Sequence, residues 1–167
     1  MFANPMLHQL LTFCFFALTI AAALSDLREF RIPNKISLAL LALYPLHVLA
    51  SPTPIGWMMA LAVASLVFAA GLALFLCGLV GGGDVKFLAA ASLWAGSTLT
   101  FPLLLVMGLA GGALALAALG IQNVRRYRST GIAGVIVPDT TVAAPKLPYG
   151  VAIAAGAFYA GIQILAA

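Results

Sequence analysis

Six apolar stretches divide this chain, at about residues 6–24, 36–50, 57–80, 85–96, 101–121 and 149–165, and every charged side chain except Lys86 lies outside them. A bilayer crossing needs about 20 mostly apolar residues, so the first and third stretches qualify outright, while the second and fourth are short. Little remains to face water: 64% of the residues are hydrophobic and 7% are charged, whereas roughly a quarter of an ordinary soluble domain is charged. Such apolar content also excludes disorder. The net charge of +4 comes from eight basic and four acidic residues without a basic stripe, which argues against nucleic-acid binding. The expected class is an all-α, polytopic integral membrane protein with six transmembrane helices in a single domain, 1–167.

The segments between the stretches carry start and stop signals. Residues 6–24 end near Ala21-Ala22-Ala23, which resembles a signal-peptide cleavage site, but no Lys or Arg precedes them. Without a basic n-region the stretch reads as a retained helix. Pro33-Asn34 predicts a helix start with Asn34 as N-cap. Ser51-Pro52-Thr53-Pro54 predicts a turn, as does the stretch from Ser97 to Thr100. Cys14 and Cys77 form no C-x-x-C pair and read as small buried hydrophobes.

Charge placement supports the six-span map. The first, third and fifth loops would share one side, and together they hold Arg28, Arg31, Lys35, Lys86, Arg125, Arg126, Arg128 and Lys146, which are all eight basic residues. The positive-inside rule then places these loops in the cytoplasm and both termini outside. A re-entrant fourth segment would move the loop at 122–148 to the other side, against this count.

Asp26 and Asp84 are acidic residues at membrane boundaries, on this map at the same cytoplasmic face. Ionisable groups at such depth are costly and default to a functional reading. The alternative makes each a helix-end residue, Asp84 as an N-cap. Directly before Asp84 stand Gly81, Gly82 and Gly83, which leave the backbone open to approach and free to take positive φ; a tight helix-packing turn is the other explanation. Two carboxylates facing one water can divide the work, one activating the water and the other donating a proton to the scissile carbonyl. That aspartic-protease chemistry needs no metal or cofactor. A helix C-terminus disfavours negative charge at Asp26 and a helix N-terminus favours it at Asp84, which biases the shared proton toward Asp26, with Arg28 and Arg31 opposing.

These residues resemble a known family. Gly81-Gly82-Gly83-Asp84-Val85-Lys86 is similar to the G-x-G-D-x-K motif of prepilin peptidases. Asp26 with Ile32, Pro33 and Asn34 resembles that family's D-x-x-x-x-x-I-P-N segment. Pro148-Tyr149-Gly150, followed by Val151 to Ala154, resembles its P-Y-G-x-A-I-A motif. The resemblance implies a membrane aspartic endopeptidase of the bacterial cytoplasmic membrane, with Asp26 and Asp84 catalytic. Its substrates would be type IV prepilins, engaged through the leader peptide and the apolar N-terminal helix. Gly81, Gly83, Lys86, Pro148, Tyr149, Gly150, Pro33 and Asn34 would shape the site. Longer relatives carry paired C-x-x-C motifs and methylate the new N-terminus; without those cysteines, methylation is not expected here, and the chain resembles the short, tight-adherence (Flp-type) branch, with a length that also fits other peptidase-only members.

Several side chains keep a blander alternative. Lys86 either holds substrate or snorkels to the interface. Tyr149 belongs either to a substrate groove or to an interfacial aromatic belt, and the arginines at 125–128 anchor the chain on anionic lipid. His8 and His47 fall at the outer helix ends, away from both aspartates, and Asp139 reads as solvated. Two other functions compete. A small ion- or proton-coupled transporter would place its acids near the bilayer midplane, and a non-catalytic pilus-assembly subunit would need neither the aspartates nor the glycines.

Overall fold

The computed structural model describes residues 4–133 and 147–166, with 122–133 described through their backbone. The described chain is all-helical: α1 (Pro5–Glu29), α2 (Asn34–Ala50), α3 (Trp57–Leu76), α4 (Gly82–Ala133) and α5 (Tyr149–Ala166). Asp139 and Lys146 lie outside the described residues.

Local signals explain most helix ends. Pro5 opens α1, and the Asn4 side chain accepts from the Leu7 amide at 3.2 Å, an N-cap on one of the helix's orphan donors. α1 ends at Phe30, whose φ of 50° is left-handed and whose amide donates to the Asp26 carbonyl. Asp26 is therefore in the last turn of α1 rather than beyond it. α2 begins one residue earlier than an Asn34 cap would require: Pro33 occupies the cap position, without a side-chain hydrogen bond, and Asn34 is the first helical residue.

α3 stops at Leu76 rather than continuing to residue 80. The amide of Gly78 donates to the carbonyl of Phe75, and that of Leu79 to the carbonyl of Leu74. With Gly78 at φ 73°, this is a Schellman close, which ends a helix at the first left-handed residue. Cys77 at this cap is exposed, not buried as its apolar neighbourhood suggested.

Contacts set the helix directions. His8 stacks on His47 at 4.6 Å and the Asn4 amide donates to the Ala50 carbonyl, so α1 and α2 are antiparallel. Lys86 meets Asn34, and Trp94 donates to the Leu40 carbonyl at 2.9 Å, so the start of α4 runs along α2. Gly150 meets Asp26 while Gly161 lies against Phe16, which makes α5 antiparallel to α1. Beyond Gly96, Leu103 lies against Gly156 and Gly111 against Ala152, so this part of α4 is antiparallel to α5 and returns toward Asp26. The chain reverses at Gly96, where φ 66° and ψ −169° interrupt the helix. Glycine alone tolerates that backbone region.

Two expectations change accordingly. Ser97 to Thr100 is helical rather than a turn, because a single glycine makes the reversal and the Thr100 hydroxyl donates to the Gly96 carbonyl at 2.6 Å. Six separate spans are not found. The fourth and fifth stretches form one interrupted element, α2 has only 17 residues, and by length and composition four helices could cross a membrane: α1, α3, α4 and α5.

The interior is packed with alanine and glycine around Phe15, Leu40, Phe87, Trp94 and Leu103. Lipid tails are as apolar as leucine, so close packing rather than hydrophobic expulsion binds such helices, and small residues permit it. Outside, Leu66, Leu76, Phe101 and Leu116 are each more than 70% exposed, as a surface solvated by lipid allows.

Candidate active site

The helix directions bring the end of α1 and the starts of α2, α4 and α5 to one end of the bundle. There a cleft of about 520 Å³ is lined by Glu29 to Asn34 on one side and Gly81 to Asp84 on the other. Asp84 stands in the first turn of α4, two residues inside the helix start rather than at its cap. Asp26 is 4% exposed and does not line the cleft. Ile32 connects the two acids: a Cβ on Gly150, whose amide Asp26 holds, and one on Gly83, beside Asp84, would each meet it.

Asp26 is anchored by α5. Its Oδ2 accepts from the Gly150 amide at 2.6 Å, which satisfies an orphan donor at that helix's N-terminus. The ends of α1 and α4 beside the two acids are visible in the sequence, whereas that of α5 is not. Once the N-terminus of α5 is included, the dipole case for a proton on Asp26 no longer holds. A Cβ on Gly150 would come within 2.8 Å of both Asp26 Oδ2 and Ile32 Cδ1, so only glycine admits this contact.

The glycine run acts by closeness rather than by unusual torsion. Gly83 does not take the positive φ expected of it; among the described glycines that feature belongs to Gly78 and Gly96. A Cβ on Gly83 would instead sit 3.0 Å from the Ile32 carbonyl oxygen, and one on Gly81 would sit 2.8 Å from Asp84 Oδ2. Gly83 thus lets the α4 start close on the α1–α2 connection, while Gly81 leaves room for the Asp84 carboxylate.

The remaining residues divide. Pro33 and Asn34 line the cleft. Lys86 points along its edge, donating to Asn34 Oδ1 at 3.1 Å. Pro148 accepts from the Val151 amide at the start of α5. Tyr149 is 42% exposed and is not in the cleft wall. His8 and His47 are at the opposite end, as expected. Sequence reasoning passed over two positions. Phe30 turns the chain out of α1 through a left-handed torsion that non-glycine residues seldom adopt, and Ile32 packs against both Gly83 and Gly150. Ile32 was visible only as part of a motif, and Phe30 had no local signal.

A bundle of membrane-length apolar helices, with Asp84 lining a cleft and Asp26 buried at the same end, defines an all-helical membrane protein with an acidic site at one end. A family model described as the type IV leader peptidase family matches residues 13–116, well over half of the chain, and the protein belongs to that family. The match includes Asp26 and Asp84 and stops before α5. No curated protein and no solved structure matched the chain.

Proposed function

We propose that this protein is an aspartic endopeptidase that removes leader peptides from type IV prepilins at the cytoplasmic membrane face, with Asp26 and Asp84 as its paired carboxylates. The observation that carries the reading is their convergence at one end of the bundle: 58 positions apart in the chain, Asp26 accepts from the Gly150 amide, Asp84 follows Gly83, and both glycines lie against Ile32 in the wall of a polar cleft. Two carboxylates sharing a site favour a single shared proton, which leaves one carboxylate to take a proton from water and the other to give one to the scissile carbonyl. Proton transfer by a positioned group contributes typically 10²–10⁴-fold.

Asp84 lines the cleft, whereas Asp26 is buried and does not. Catalysis on this reading therefore requires the α1–α2 connection at Phe30–Pro33 to shift when substrate enters. Gly81, Gly83 and Gly150 keep the carboxylates close, Pro33 and Asn34 form the opposite wall, and Lys86 orients Asn34. Pro148 and Tyr149 set the start of α5. The substrates proposed are Flp-type prepilins, and cleavage without methylation is proposed because paired C-x-x-C motifs like those of the methylating relatives do not occur in the 167 residues.

Purified enzyme and a prepilin in membrane vesicles test the reading. Asp26→Ala and Asp84→Ala should each reduce cleavage by at least a thousandfold with insertion unchanged. Substantial turnover by either variant would remove the carboxylate pair as the mechanism.

A further inference from the structure

A second cavity, of about 560 Å³, opens between α2, α3 and the first part of α4. Leu38, Leu41, Leu61, Phe68 and Leu93 line it, and among the described residues no acidic one does. Lys35 and Lys86 stand at the end nearest the acidic site. Ser37 also lines it; this residue is 4% exposed, and among the described residues its hydroxyl has no hydrogen-bond partner. A buried hydroxyl with no partner costs free energy unless something else satisfies it.

We propose that this groove binds one anionic phospholipid of the surrounding leaflet, with its phosphate at Lys35 and Lys86, an ester oxygen on the Ser37 hydroxyl, and an acyl chain along the leucines. The order of groups matches that of such a lipid. The cations are at the helix starts, and Ser37 is three residues beyond Asn34, about 4.5 Å deeper at 1.5 Å per residue. The apolar wall then runs to Leu41, roughly 10 Å deep, within the roughly 15 Å of hydrocarbon in half a bilayer. Anionic lipid is enriched in the cytoplasmic leaflet, where basic pockets between helices take its headgroups. The cavity is open at the side, so a lipid enters without crossing the bundle. Asn34 and Lys86 join the groove to the acidic cleft, so an occupied groove would steady one wall of that cleft.

The test is lipid retention by the purified protein in neutral detergent, measured by native mass spectrometry. Phosphatidylglycerol should bind at least tenfold more tightly than phosphatidylcholine with the same chains, and inorganic phosphate should not compete. Lys35→Gln should weaken phosphatidylglycerol about fivefold, as expected for one lysine near the surface. Ser37→Ala should weaken it further. Ser65→Phe, at an exposed groove position, should block binding, while Leu66→Phe on the outer surface should not. If Ser65→Phe does not fold, Lys35→Gln decides the matter. Equal binding of the two lipids would reduce the groove to an annular contact, competition by phosphate would make it a free anion site, and displacement of the lipid by an apolar substrate helix would assign it to substrate. Each of these results overturns the proposal.

Discussion

At the residue scale, the acidic end of the molecule depends on where side chains are missing. Gly150 and Gly83 look interchangeable in the sequence, yet different neighbours exclude a side chain at each. At Gly150 the obstacle is Asp26 itself; at Gly83 it is the backbone oxygen of Ile32. Gly150→Ala should therefore push the α5 amide off the carboxylate, and a displacement of about 1 Å in a catalytic group costs on the order of a hundredfold in rate. Gly83→Val should abolish prepilin cleavage at normal expression and insertion, with Gly83→Ala in between. The check is the cleavage rate at matched protein levels; a rate for Gly83→Val within about threefold of wild type would show that the Ile32 contact yields freely. The sequence marks Gly83 for an open backbone and a positive φ but not for its contact with Ile32, because contacts with residues about 50 positions away have no local signature.

At the element scale, one glycine converts a long apolar stretch into two antiparallel limbs. Gly96 has φ 66° and ψ −169°, and a Cβ there would meet nothing within 4 Å. The cost of Gly96→Ala is thus purely conformational, about 1–3 kcal/mol. Gly108 provides the control, since it too has open space but sits in ordinary helix. Gly108→Ala should be neutral or slightly stabilising, because alanine is favoured over glycine in a helix by roughly 1 kcal/mol. Thermal unfolding in one detergent compares the two; equal transition temperatures would mean that the reversal does not depend on Gly96. Hydropathy did indicate an interruption near this point. It placed the turn at Ser97 to Thr100 because polar side chains signal turns, whereas the actual break lies in the backbone.

At the scale of the whole molecule, the arrangement of limbs has a consequence for topology. If the end holding Asp26, Asn34 and Gly150 faces the cytoplasm, then Thr53 and Ser97 are at the outer end. After removal of Cys14 and Cys77, single cysteines at 53 and 97 should react with an impermeant thiol reagent added outside intact cells, and one at 129 should not. Outside labelling at 129 would separate the return limb of α4 from the cytoplasmic face and break the reading of the acidic end as cytoplasmic. The same geometry makes α2 and the first part of α4 short relative to a bilayer, and mismatch of this kind is met by local thinning.

Apolar stretches, the residues between them and the positions of Asp26 and Asp84 were legible from the chain alone, because burial in lipid tolerates few charges and each retained acid at a boundary stands out. The all-helical class follows from the same constraint, since backbone polar groups in hydrocarbon must be satisfied within the segment. Tertiary structure alone decided how the helices were divided and what each glycine was for. It placed the N-terminus of α5 on Asp26, set Ile32 between two glycines and turned the chain at Gly96. These features depend on distances between segments remote in sequence, and hydropathy and spacing along one strand of chain carry no information about which helix end will face which carboxylate.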